Sequence, residues 1–184
     1  MIRETLVKRF ERYFHMSAAL VLLVSAAACG KSPTTAMPDN PPAAAPQPAI
    51  TIACSPSSGD KDTVVTVTVS IADNQQEVGV FGMDLTFPPK MLEFTGVSKG
   101  SLTGSWAAVD GNEVSAGSLK IGGFRGSGTA LVKNSAGSVA VISFKVDGSS
   151  LAGGQQGQVC IKNYTDDITG IPPEPACATF TLTK

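Results

Sequence analysis

The alternation of large apolar with small or polar residues over positions 80–87 constrains the fold more than any other feature of the chain. Phe81, Met83, Leu85 and Phe87 take every second position, with Gly82, Asp84 and Thr86 between them. A period of two marks a strand with one face in a core and the other in water. Pro88 and Pro89 end the run, because proline donates no backbone hydrogen bond. The same period recurs over residues 63–71, where Val65, Val67, Val69 and Ile71 share a side, and over residues 139–146. Shorter strands are expected at 50–54, from Leu92 through Val97, and at 106–109, 119–124, 158–164 and 178–182. Residues 55–62 and the triplet Asp110, Gly111, Asn112 read as turns, and Gly122 with Gly123 as a bulge. No segment after Cys29 carries a helical period. Short strands separated by turns at such intervals imply an all-β sandwich.

The beginning of the chain has a different character. Arg3, Lys8, Arg9 and Arg12 precede an apolar run over residues 18–24, followed by small residues up to Cys29. This three-part layout is that of a signal peptide over residues 1–28, and the run is too short for a stable membrane span. Three alanines before Cys29 resemble a bacterial lipobox, in which the cysteine becomes the lipid-modified first residue of the mature protein. Ala26 stands where that pattern favours leucine, and ordinary cleavage after Ala28 is the alternative. Residues 29–48 are rich in proline and alanine and nearly devoid of large apolar side chains, the composition of a disordered tether. A lipid-anchored protein of the bacterial cell envelope is expected, with its domain facing the periplasm or the cell exterior. Residues 49–184 are expected to form one domain, large enough for a sizeable core.

Composition narrows the chemistry. The leader holds four of the 14 basic and two of the 15 acidic residues, so its removal shifts the net charge from −1 to about −3. There is no basic stripe, which argues against nucleic acid. The single histidine, His15, lies in the leader, so the mature chain has none for a catalytic triad, a Cys-His pair or a histidine-ligated metal. Two carboxylates alone suffice for glycoside hydrolysis. However, Asp84, Glu93, Asp110, Glu113, Asp166 and Asp167 are scattered and read as solubilising charge. The chain is therefore read as a non-enzyme without cofactor or metal.

Cys54, Cys160 and Cys177 remain in an exported domain, where oxidation is expected. Three thiols leave one over. Cys160 and Cys177 flank the last long loop and are the favoured pair, although pairings with Cys54 stay open. Cys54 shares the parity of Ile50 and Ile52 and is read as a buried apolar residue.

Two blocks bear on a family. The stretch from Val78 to Leu102 runs strand, double proline, Met91-Leu92-Glu93-Phe94, then Val97-Ser98-Lys99-Gly100-Ser101-Leu102. Ser127 and Gly128 precede a strand marked by Gly137, Ala140, Ile142, Phe144 and Val146. In order and spacing these resemble the cohesin domain, over roughly residues 49–184. The resemblance implies a nine-stranded jelly-roll β-sandwich that docks a dockerin-like protein module, in a setting of polysaccharide degradation. It also implies that the outer face of the family's strands three, five, six and eight is the docking surface.

Those strands correspond here to residues 80–87, 106–109, 119–124 and 158–164. Val80, Gly82, Asp84, Trp106, Arg125 and Tyr164 are the resulting partner-binding candidates. Polar residues on the third strand and acidic ones ending the sixth often carry dockerin recognition in cohesins. Here Val80 and Gly82, and Arg125 and Gly126, stand at those places, which points to a divergent dockerin-like partner or another ligand. The alternative is carbohydrate binding, which needs flat aromatic platforms, and Trp106 and Tyr164 are the amphipathic rings available. Trp106 can equally be a core or edge-packing residue.

Overall fold

The computed structural model describes residues 47–184. The leader, Cys29 and nearly all of the tether lie outside the described residues. Ten strands occur among the described residues, in chain order β1 (Ala49–Ser55), β2 (Ser58–Gly59), β3 (Val64–Ala72), β4 (Val80–Thr86) and β5 (Leu92–Lys99). They continue as β6 (Ala108–Ser115), β7 (Ser118–Phe124), β8 (Gly137–Val146), β9 (Gln156–Asp166) and β10 (Ala176–Leu182). One sheet has the order β1-β3-β8-β5 and the other β2-β10-β9-β4-β7-β6. All pairings are antiparallel except β2 with β10. The two sheets pack as a jelly-roll sandwich.

Strand parity explains the packing. Val65, Val67, Val69 and Ile71 of β3 face Phe81, Met83 and Leu85 of β4 across a single apolar layer that also takes Ile142, Phe144 and Val146 of β8. Phe144 lies at its centre, with ring centroids 5.0 Å from Phe87 and 6.1 Å from Phe94. The double proline after β4 carries the chain from one sheet to the other. Its corner is closed by the amides of Met91 and Leu92, which both donate to the Pro88 carbonyl at 3.0 Å.

The structure departs from the sequence reading at four places. Residues 55–62 are not all turn, because Ser58 and Gly59 pair with Thr181 and Leu182 of β10 and form β2, a strand beyond the nine expected. Asp110, Gly111 and Asn112 are not a turn but the interior of β6, held by pairing with Gly122, Ile121 and Lys120. The chain reverses instead after Ser115, where Gly117 adopts φ +77°, a conformation costly for a residue with a Cβ. Gly122 and Gly123 make no bulge, since the β4–β7 register runs unbroken from Val80 to Thr86. Finally, Cys54 is half-buried rather than buried, near the end of edge strand β1. Its thiol is free, and desolvation pushes its pKa up.

Candidate protein-docking face

Strands β9, β4, β7 and β6 lie side by side, so the four segments expected to form one outer face do share a sheet. Their register arranges the outward residues in rows. Val80 stands opposite Phe124, and Phe124 opposite Ala108. The next row runs Thr165, Gly82, Gly122, Asp110. A third row runs Asn163, Asp84, Lys120, Asn112. Gly122 leaves a flat strip without a side chain in the middle of the face, whereas the Thr165 side chain reaches over Gly82.

Each row has its own chemistry. In the first, Val80 is 38% and Phe124 52% exposed, an uncovered apolar pair. In the third, Lys120 Nζ donates to Asp84 Oδ1 at 2.7 Å and Asn163 Nδ2 donates to Asp84 Oδ2 at 3.3 Å. The Lys120 hydrogen bond, followed by that of Asn163, holds the Asp84 carboxyl below its ordinary value of 3.8. At the start of β4, Asp167 Oδ2 accepts the amides of Gly79 at 2.8 Å and Val80 at 3.0 Å, which fixes the strand where the apolar row begins.

Gly82 and Gly122 are not interchangeable. A Cβ at Gly82 would lie 2.2 Å from Thr165 Oγ1 and 3.2 Å from Asp166 Oδ2. One at Gly122 would meet only the Phe81 carbonyl oxygen, at 3.6 Å, an ordinary contact. Gly123 points inward, and there a Cβ would strike the Phe81 ring at 2.6 Å.

Of the six partner-binding candidates, Val80, Gly82 and Asp84 lie on this face as expected from parity. Arg125 is exposed at the end of β7. Its side chain lies against Gly79, and its guanidinium pairs with Glu77 at 3.5 Å. Trp106 and Tyr164 are the corrections. Trp106 is 1% exposed and precedes β6 in a turn, with its amide donating to the Thr103 carbonyl at 2.9 Å. Its ring packs on Phe81 with centroids 5.6 Å apart, and its Nε1 donates to the Thr129 carbonyl at 2.9 Å.

Tyr164 is 2% exposed and donates its hydroxyl to the Pro173 carbonyl at 2.8 Å. A bulge in β9 causes this inversion. Ile161 pairs with Leu85 and Tyr164 with Met83, so Lys162 is the extra residue and parity flips across it. The aromatic platform required for sugar binding is therefore absent at these two positions, the only Trp and Tyr among the described residues.

The sequence reading missed Phe124, Lys120, Gly122 and Asn163. The first three follow from placing Leu119 and Ile121 inward on β7. Asn163 requires the bulge. Beside this face, Cys160 and Cys177 stand directly opposite on β9 and β10 and are joined by a disulfide of S–S 2.13 Å.

The described residues form a two-sheet sandwich with the outer face of the β9-β4-β7-β6 sheet open to solvent. Comparison with known proteins gives its family. The cohesin domain model matches residues 50–167, and the chain belongs to the cohesin domain family. Cohesin domains are non-catalytic dockerin-binding modules.

Solved structures share the fold. The sixth cohesin of scaffoldin B from Acetivibrio cellulolyticus, solved with a Cel5 dockerin, is 20% identical with a TM-score of 0.55, covering 73% of this chain and 99% of that one. The cohesin module of a family 33 glycoside hydrolase from Clostridium perfringens is 11% identical with a TM-score of 0.58, covering 74% and 97%. A non-cellulosomal cohesin from the archaeon Archaeoglobus fulgidus is 20% identical with a TM-score of 0.52, covering 74% and 92%. No curated protein matches the chain.

Proposed function

We propose that this chain is a lipid-anchored cohesin module that docks a dockerin-like protein on the β9-β4-β7-β6 face, outside the cytoplasm. The observation that carries the docking reading is the match of the cohesin domain model to residues 50–167, which include the four strands of this face up to Asp166. Family membership supports the class of partner, and the scaffoldin cohesin cited above was solved with a dockerin on it. The arrangement of charged leader, apolar run and alanines before Cys29 supports anchoring, and the proline-rich residues behind it suit a spacer. In this reading the module holds a partner, and whatever that partner carries, at the bacterial cell envelope. A link to polysaccharide degradation would come through the partner.

The test is a titration of the full chain against individual recombinant dockerin modules. Gly122→Arg places a long charged side chain on the flat strip without a backbone clash and should abolish binding. Thr95→Arg, at an exposed position on β5 of the opposite sheet, should leave it unchanged. Equal binding by both variants contradicts the assignment of the face.

A further inference from the structure

At the end of the sandwich where the chain enters β1, three segments meet around a cavity of about 250 Å³. Pro48 stands on one side, Gln75 and Gln76 of the β3–β4 connection on a second, and Asp167, Thr169 and Ile171 of the β9–β10 connection on the third. The wall is held by its own hydrogen bonds. Gln76 Nε2 donates to the Asp167 carbonyl at 2.8 Å, while Asp167 Oδ2 accepts the amides of Gly79 and Val80. Gln75 Nε2 donates to the Asp73 carbonyl at 2.8 Å, and the Thr169 hydroxyl donates to the Asp166 carbonyl at 2.9 Å. These bonds leave Gln75 Oε1, Gln76 Oε1 and Asp167 Oδ1 as acceptors that no donor reaches among the described residues.

The charge here has one sign. No lysine or arginine lines the cavity, and Asp73, Asp166 and Asp167 take part in no ion pair among the described residues. Two further features narrow the ligand. Pro48 and Ile171, the latter 8% exposed, give the cavity an apolar side that suits a hydrocarbon chain and offers nothing to a hydrated ion. The volume is also several times the ~30 Å³ of one water molecule, so a bare ion would leave most of it empty. An ammonium carries three donors and no acceptor, the complement of the three acceptors left over. We propose that this cavity binds a primary ammonium group on an unbranched alkyl chain, from a free aliphatic amine or from the side chain of a lysine. The head donates to Asp167 Oδ1 and the two glutamine oxygens, and the chain lies along Pro48 and Ile171. Because the wall is already fixed by hydrogen bonds, little has to be ordered when the ligand enters. The site is independent of the docking reading.

The experiment is a nuclear magnetic resonance titration of the full chain with pentylamine at about pH 7, where the amine is protonated. The amide signals of Gln76, Gly170 and Ile171 should shift and saturate. Pentanol, with the same chain and no charge, should bind at least about tenfold more weakly. High salt should weaken pentylamine binding by about threefold or more, since the attraction is between charges near the surface. Gln75→Lys brings a resident ammonium to the cavity and should abolish binding. Gln75 is exposed and bonds only the Asp73 carbonyl, so a thermal melt matching wild type shows that this variant is folded. Thr95→Lys adds the same charge at an exposed position on β5 and should leave binding unchanged. A Gly-Lys-Gly peptide blocked at both ends separates the two sources. Tighter binding of the peptide assigns the cavity to lysine side chains and tighter binding of pentylamine assigns it to free amines, and both results support the site. Equal binding of pentanol and pentylamine, an unaltered affinity in Gln75→Lys, or the absence of saturable shifts at these three amides overturns it.

Discussion

Gly82 and Gly122 are partners in one register, yet a side chain would have different consequences at each. Gly122→Arg has room, and its melting temperature should stay close to wild type. Gly82→Arg forces the Thr165 hydroxyl away from its place and should melt lower, as differential scanning of both variants would show. An equal melting temperature would mean that Thr165 rotates aside at no cost.

Tyr164 offers a second residue-level test. Burial, reinforced by the nearby Glu174 carboxylate, pushes its hydroxyl up to about 12, above the ordinary value of 10.0. The unfolded chain releases this proton first, so stability is full below pH 10 and falls as pH climbs through about 12. Ultraviolet titration of phenolate in the isolated residues 29–184, which hold Tyr164 as their one tyrosine, should show the late midpoint, whereas a midpoint near 10 would mean an accessible ring. This ring and that of Trp106 also mark where sequence reasoning stopped. Both are amphipathic, and both satisfy their one polar atom with a backbone carbonyl while the rest packs inward. Nothing in the one-dimensional pattern separates that arrangement from a ring lying on the surface.

Among the elements, β3, β4 and β8 could be read directly, because several consecutive apolar residues keep one parity and β-branched residues dominate two of them. Strand β6 could not. Its Asp110-Gly111-Asn112 has turn composition, and only long-range pairing with β7 makes it a strand. The β9 bulge was hidden for a similar reason, since one extra residue flips every side chain beyond it. Parity on β7 was legible, and following it would have placed Lys120, Gly122 and Phe124 on the outer face of the β9-β4-β7-β6 sheet. The energetic weight of β8 follows from Phe144, fully buried between Phe87 and Phe94. Phe144→Ala should cost about 3–5 kcal/mol in a urea denaturation measurement. A loss below about 1 kcal/mol would mean that the layer is not packed as described.

For the whole molecule, the two halves of the account have separate tests. Anchoring belongs to the leader and predicts that Cys29→Ser either blocks maturation or releases the protein from the membrane fraction. Normal processing with retention on the membrane would contradict it. Docking belongs to the sandwich and rests on one assignment, that the β9-β4-β7-β6 face is the surface a partner covers. Hydrogen exchange with and without a bound dockerin module measures this most directly, because amides and loops beneath an interface slow selectively while the rest of the fold is unchanged. Added protection should be confined to β4, β7, β6 and β9, strongest in the peptides that contain Gly82 and residues 120–124. Protection centred on β1, β3, β8 and β5, or spread evenly over both sheets, would contradict the account.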